Sequence, residues 1–517
     1  MGTHEDFAND TRDHYSDAQA ALPLGAAMLG EELLADLPIT ARLDMLTRHG
    51  VIAGATGTGK TKSLQVMAEQ LSAAGVPCVV ADMKGDLSGL GAPAPADGPG
   101  AKRAAKLGIE YVPAAQPVEF WAPGGVGPGI PLRGTLSEFG PQLLGKVLGA
   151  NETQEQVLYL VFRFADDNGL ALVDLGDLRA LLDHLSSEDG ADQLAKLGGV
   201  SKQTIGVLLR SIVVLEANDA APFFGMPFLQ VADLMRVDAQ GRGVISCVEL
   251  PGVAESPAVW SAAMMWIVAE LFEQLPEVGD LDKPKLVIFL DEAHLLFHDA
   301  SDAFVESITR TVRLIRSKGV GVFFVTQNPV DIHPDVLGQL GHRIQHALRA
   351  FTPQDQKALK AAVETMPTTP HFDVAAQILE LGIGEAVVTT LNEKGAPRPP
   401  VRTCMRAPLS SMDPLPDVGA AAKASSLWAT YAAEVDPDSA EEQLAAKLAA
   451  ATKVAEPAKV TVPEEPRMTK RDPARPRAKR ASSKGGVRGI LDSQAGKQLQ
   501  REVVRGIFGV LRSSMKR

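Results

Sequence analysis

Along this chain, short and almost unbroken apolar runs alternate with longer segments in which apolar residues recur every three or four positions. Runs of the first kind occupy 51–53, 77–81, 118–122, 243–250, 285–290, 319–326, 343–348, 385–391 and 401–405. They are too short for helices and rich in Val and Ile, the pattern of strands covered on both faces. Between them, 62–73, 258–274 and 303–317 carry helical spacing. Strand, helix, strand in repetition predicts an α/β fold with a mostly parallel sheet and helices on both faces.

The period changes over 135–235. There 143–148, 154–165, 175–185 and 202–215 all show apolar residues at 3–4 spacing, which predicts an all-helical insertion. Residues 1–45 lead into the core, and 46–134 and 236–410 form it. The stretch 411–454 is a helical extension, Ala- and Glu-rich over 418–452 with caps supplied by 436–439. Prolines and alternating charges over 455–485 predict a disordered linker. In 486–517, Ile490, Leu491, Leu499, Val503, Ile507, Val510 and Leu511 share one helical face with Arg and Lys opposite, so a basic amphipathic helix is expected.

Composition narrows the setting. Of the 517 residues, 45% are apolar and 22% charged, as in globular proteins, and no apolar run reaches 18 residues. The acidic start, Met1 to Asp6, leads into no apolar stretch and predicts no signal peptide; Asp6 stands where a myristoylation motif wants Ser or Thr. Cys78, Cys247 and Cys404 are far apart and form no metal or redox spacing, so buried thiols in a cytoplasmic protein are expected. The net charge of −12 conceals an asymmetry: from Arg467 onward 15 basic residues face Asp472, Asp492 and Glu502. The tail therefore carries +12 and residues 1–466 carry −24. Such a body is unlike a whole-surface nucleic-acid binder, although a basic channel is compatible with it.

The chemistry begins at Gly54-Ala55-Thr56-Gly57-Thr58-Gly59-Lys60-Thr61, between a strand and a helix. Its glycines let successive N–H groups turn inward onto a polyphosphate, and the helix N-terminus adds positive potential. In such a P-loop Lys60 reaches the β- and γ-phosphates and Thr61 offers its hydroxyl to Mg²⁺. ATP and Mg²⁺ are thus the expected ligands. The run 286–290 ends in Asp291-Glu292, a Walker B pattern. Asp291 would hold the metal and Glu292 would orient and deprotonate the attacking water, which favours hydrolysis over phosphoryl transfer. Gln327, at the tip of the next strand, can bond the γ-phosphate or the lytic water; Asn328 suits a turn. Arg313 and Arg316 lie three apart between these strands, each a candidate arginine finger for a neighbouring subunit or a solvated helix end. Arg343 and Arg349 are weaker candidates of that kind. His294 has no second His or Cys at metal spacing and reads as a structural or coupling residue.

Together these residues resemble the HerA-like branch of the HerA/FtsK ring ATPases, most closely the bacterial YjgR-type proteins. The resemblance rests on His49 to Ala53 leading into GATGTGKT, on DMKGDLSGL at 82–90, on FLDEAH at 289–294, and on Arg343 to Arg349. It spans about 20–410. It implies a RecA-like P-loop NTPase core, a hexameric homo-oligomeric ring, and ATP-driven movement of a polymer, usually duplex DNA. It also matches Arg316 to the family's trans-acting arginine. One departure stands out: the roughly 45 residues before the P-loop strand are too few for the β-barrel that docks a partner nuclease. Two functions therefore compete. One is a DNA translocase or helicase-like ATPase. The alternative is a nucleotide-gated protein remodeller or scaffold at a membrane surface, favoured by the acidic body and by contact through the basic C-terminal helix.

Overall fold

Nine apolar runs, each needing partners for its N–H and C=O groups, can satisfy them only by pairing, and they do so in one large sheet. The computed structural model describes residues 4–454 apart from 18–19, 197, 199, 218–220, 252–256 and 298–301. The linker and basic amphipathic helix expected over 455–517 lie outside the described residues. The strands are β1 (Ala21–Leu29), β2 (Glu32–Arg42), β3 (Gly50–Ala53), β4 (Cys78–Asp82), β5 (Val118–Pro123), β6 (Ile130–Leu132), β7 (Ile245–Glu249), β8 (Leu286–Leu290), β9 (Val320–Thr326), β10 (His342–His346), β11 (Glu385–Thr389) and β12 (Val401–Met405). Their order across the twelve-stranded sheet is β2-β1-β12-β11-β10-β3-β9-β8-β4-β7-β5-β6.

From β10 through to β6 every pairing is parallel. Val79, Val80, Val287 to Phe289 and Val322 to Val325 are all buried, as strands sandwiched between helices require. Burying each such side chain contributes about 1.5–3 kcal/mol, so this stack is the stable base on which the strand tips rest. The other end of the sheet is antiparallel: β10 pairs β11, β11 pairs β12, β12 pairs β1, and β1 pairs β2.

The β1–β2 hairpin is the main departure from the sequence expectation, which treats 1–45 as a lead-in. The β1 residues ALPLGAAML lack β-branched side chains, and the hairpin's register shifts between Pro23 and Gly25 and between Ala26 and Ala27, so no clean alternation is visible. A helix, His4–Tyr15, precedes it, and Tyr15 donates a hydrogen bond to the Pro399 carbonyl at 2.9 Å.

Helices Leu136–Val147, Glu152–Asp167, Leu175–Ser186, Ala191–Lys196 and Lys202–Ala217 fill the segment 135–235. Asn151 and Gln154 cap one of them reciprocally, and Asp174 and Asp177 another. Lys146 ties this layer to the sheet, donating to the Leu296 carbonyl at 2.9 Å while its ammonium sits 3.8 Å from the centre of the Phe304 ring. Beyond β12, short helices at Val418–Ala424 and Trp428–Tyr431 precede Ala440–Val454, where the Ser439 N–H bonds the Glu442 carboxylate. The three cysteines are free and buried. No helix among the described residues is long and apolar enough to cross a membrane.

Candidate nucleotide-binding site

The P-loop leaves β3 and enters the helix Lys60–Ala73, which starts two residues earlier than the spacing predicts. Gly54 (φ 151°), Gly57 (φ 78°) and Gly59 (φ 118°) all take backbone angles that side chains disfavour. A Cβ on Gly54 would also lie 2.5 Å from the Cβ of His346. Neighbouring strands brace the loop from outside. Ala55 N–H donates to the Ala347 carbonyl (2.8 Å) and Gly384 N–H to the Thr58 carbonyl (3.0 Å). His346, fully buried, has Nε2 2.9 Å from Ser63 Oγ and Nδ1 2.8 Å from the Glu385 carbonyl oxygen. It is a pillar between the loop's helix and β11. Lys60 curls back to its own loop, donating to the Ala55 carbonyl at 3.2 Å, and burial lowers its pKa. Thr61 is half-buried on the first turn of the same helix.

β8, which carries the Walker B acids, does not adjoin β3. β9 is inserted between them, pairing both in parallel. Two strand spacings, about 9.5 Å, therefore separate the acids from the loop, with the tip of β9 between. That tip carries Gln327, whose Oε1 accepts from Thr56 Oγ1 at 3.4 Å. The sheet thus brings Lys60, Asp291, Glu292 and Gln327 to one edge. Asn328 serves the turn: its carbonyl accepts from Asp331 N–H at 3.1 Å.

Asp291 is 3% exposed, and its Oδ2 accepts no hydrogen bond among the described residues. Burial, reinforced by the neighbouring Glu292 charge, pushes its carboxyl up to about 7. An orphaned buried carboxylate oxygen beside a phosphate loop fits a hard cation such as Mg²⁺. Glu292 is held differently. His294, with Nδ1 3.3 Å from Oε2, and then Lys84, ion-paired to Oε1, hold it down at about 2 against the opposing effect of burial. Its backbone is left-handed (φ 48°, ψ 44°), an uncommon conformation for Glu and one imposed at the strand-to-turn corner.

Lys84 and His294 were not assigned to the reaction by sequence reasoning. Lys84 belongs to the DMKGDLSGL segment, where Asp82 accepts from the N–H groups of Lys84, Gly85 and Leu87 and so folds the turn after β4. Beside it, Asp82, Cys247 and Glu249 are buried together, and burial followed by the Asp82 charge raises Glu249 to about 7.

The arginines fall elsewhere. The predicted helix 303–317 ends at Ile315, and Arg316 begins a 3₁₀ turn closed by Gly319 at φ 78°, so Arg313 and Arg316 do not share one continuous helix. Both are exposed and stand at the start of β9, about 20 Å from its Gln327 tip. Neither joins the site of its own chain. Arg343 is half-buried in β10, with its pKa lowered by burial to about 10, and Arg349 is exposed beyond it.

A P-loop braced by two strands, with an acid pair beyond an inserted strand, is the geometry against which known proteins can be compared. The family model described as helicase HerA-like, C-terminal, matches residues 29–517. The chain belongs to this family. Among curated relatives, the probable helicase MJECL08 of Methanocaldococcus jannaschii is 32% identical over 122 residues, 23% of this chain and 22% of that protein. The probable DNA double-strand break repair helicase HerA of the same organism is 34% identical over 110 residues, 20% of each chain. The match therefore spans about a fifth of the length of these relatives. Among solved structures, the plasmid coupling protein TrwB in complex with the non-hydrolysable ATP analogue ADPNP superposes with a TM-score of 0.52 at 16% identity, over 79% of this chain and 94% of that one. That likeness shows the fold alone, an α/β core built on a mostly parallel sheet.

Proposed function

We propose that this chain is an ATP-hydrolysing motor that moves DNA in the cytoplasm, working as a homo-oligomeric ring of six. The observation that carries the reading is the meeting of Lys60, Asp291, Glu292 and Gln327 at one edge of the sheet, around a loop whose glycines take the positive-φ turns of a phosphate cradle. Residues 54–61 hold the triphosphate, with Lys60 on its β- and γ-phosphates. Thr61 and Asp291 would hold Mg²⁺, which when bound would neutralise charge on the phosphate oxygens. Glu292 takes the proton of the attacking water, and Gln327 holds that water or the γ-phosphate from the tip of β9. Arg316, or Arg313 beside it, reaches a neighbour's site and steadies the charge of its transition state. The names of the Methanocaldococcus relatives, both helicases and one of DNA break repair, support DNA as the polymer.

The test is Mg²⁺-dependent phosphate release by the full chain, alone and with duplex DNA, single strands or anionic vesicles, at two salt concentrations. Duplex DNA should stimulate turnover, and the stimulation should fall steeply with salt. Stimulation by vesicles and not by DNA would replace the translocase with the membrane-surface remodeller. Absence of hydrolysis under every condition would overturn both.

A further inference from the structure

Glu292 ends in two oxygens, and neither is open to solvent. Lys84 Nζ is ion-paired to Oε1, while Oε2 is buried without a hydrogen bond among the described residues, His294 Nδ1 lying 3.3 Å away. The Glu292 side chain is only 9% exposed. A carboxylate covered in this way has no oxygen turned toward a water, so the arrangement cannot be the one in which Glu292 accepts a proton. One of its two partners must leave.

The two are not equally able to do so. His294 belongs to the short 3₁₀ turn Ala293–Leu296 that directly follows Glu292, and therefore moves with it. Lys84 comes from the turn after another strand, β4, 208 positions away in sequence. Its backbone is anchored, because Asp82 grips the N–H groups of Lys84, Gly85 and Leu87, yet its side chain is 50% exposed on a flexible four-carbon stem. Glu292, which the Lys84 ammonium touches, stands at the same sheet edge as the phosphate loop, two strand spacings (about 9.5 Å) from it across the tip of β9. A triphosphate on that loop offers far more negative charge than one carboxylate. An ammonium able to reach both would redistribute toward the phosphates.

We propose that Lys84 is a phosphate-sensing latch: without nucleotide it covers Glu292, and when a triphosphate seats on residues 54–61 it moves to the phosphates and uncovers the carboxylate. One cation then links occupancy of the loop to exposure of the base. The inference rests on the ATPase reading above and specifies how that site is regulated. Its consequence is thermodynamic. Nucleotide and Glu292 compete for Lys84, so part of the binding energy is spent on breaking the ion pair, and removing the Glu292 charge should return it. Simple repulsion between Glu292 and the phosphates would also weaken binding, but that effect does not depend on Lys84.

The experiment is a double-mutant cycle on the full chain, reading equilibrium affinity for a non-hydrolysable ATP analogue with Mg²⁺. Glu292→Gln should tighten binding about tenfold when Lys84 is present and by less than twofold in the Lys84→Met background. That non-additivity corresponds to about 1 kcal/mol of coupling. Lys84→Arg, which keeps the cation, should keep most of the gain. Equal tightening in both backgrounds would reduce the effect to carboxylate–phosphate repulsion and overturn the latch. No tightening in either background would mean that the pair does not compete with nucleotide, and would overturn it as well. Lys60→Ala is the separate control: if that variant binds the analogue as well as wild type, the nucleotide reading itself fails, whatever the cycle shows.

Discussion

In the proposed ATPase cycle Lys60 and Glu292 act at different stages, so their removal should be separable. Lys60→Ala takes the P-loop's own ammonium from the phosphates and is expected to abolish nucleotide binding. Glu292→Gln should bind the analogue at least as well as wild type while turnover falls roughly 10²–10⁴-fold, the scale of a lost general base. Equilibrium binding and steady-state hydrolysis on the same preparations distinguish the two. A second residue-scale prediction concerns acid. His342 is buried in β10 with Nε2 2.9 Å from the Met45 carbonyl oxygen, and burial lowers its pKa from the ordinary 6.5 to about 4. The unfolded chain therefore binds this proton between pH 6.5 and 4 while the folded chain does not, and the group's penalty on stability grows as pH falls through that window. His342→Gln keeps a donor for Met45 and cannot titrate. Its urea-unfolding free energy should lose less than that of wild type between pH 6.5 and 4, by on the order of 3 kcal/mol; parallel pH curves would refute the shift. At this scale the sequence was legible wherever the chemistry needs contiguous residue types, as in 54–61 and Asp291-Glu292. It was not legible for Lys84, His294 and His346, whose partners are set by how strands and turns meet.

Among elements, the parallel half of the sheet could be read, apart from the three-residue β6, because its other strands are apolar on both faces and bounded by turns. The antiparallel half was read only in part. β11 and β12 show as runs, but β1 and β2 do not, since their bulges and Pro23, Gly25 and Pro38 hide the alternation. The insertion of β9 between β3 and β8 was also invisible, because strand order is not written in any local pattern. Gly25 shows what that pairing requires. A Cβ there would stand 2.1 Å from the Cys404 carbonyl oxygen on β12, backbone that cannot step aside cheaply. Gly25→Ala should destabilise the protein by at least about 2 kcal/mol, read as a lower unfolding midpoint in denaturant. An unchanged midpoint would mean that the β1–β12 pairing is not as tight as described.

For the whole molecule, the arginines at the start of β9 are too far from their own chain's site to act there, so their test must involve two chains. Arg316→Ala should leave analogue affinity nearly unchanged but cut hydrolysis by the assembled protein. Mixing Arg316→Ala with Glu292→Gln subunits should restore part of the activity, since some interfaces then combine an intact Glu292 with an intact Arg316. Failure to recover in mixed assemblies of verified stoichiometry would exclude action in trans. How subunits meet is constrained by the two borders of the sheet. β2 is bordered by exposed Glu32, Asp36 and Pro38, and β6 is only three residues long with Pro131 at its centre. Proline has no N–H to offer, and carboxylates along an open strand repel a second strand. Neither border is a template for another chain's backbone. Among the described residues, copies of this protein then meet through side chains rather than through these strand edges, contacts that salt and mutation can tune one at a time, and a crowded or partly assembled population is protected from zipping along these two borders into fibres.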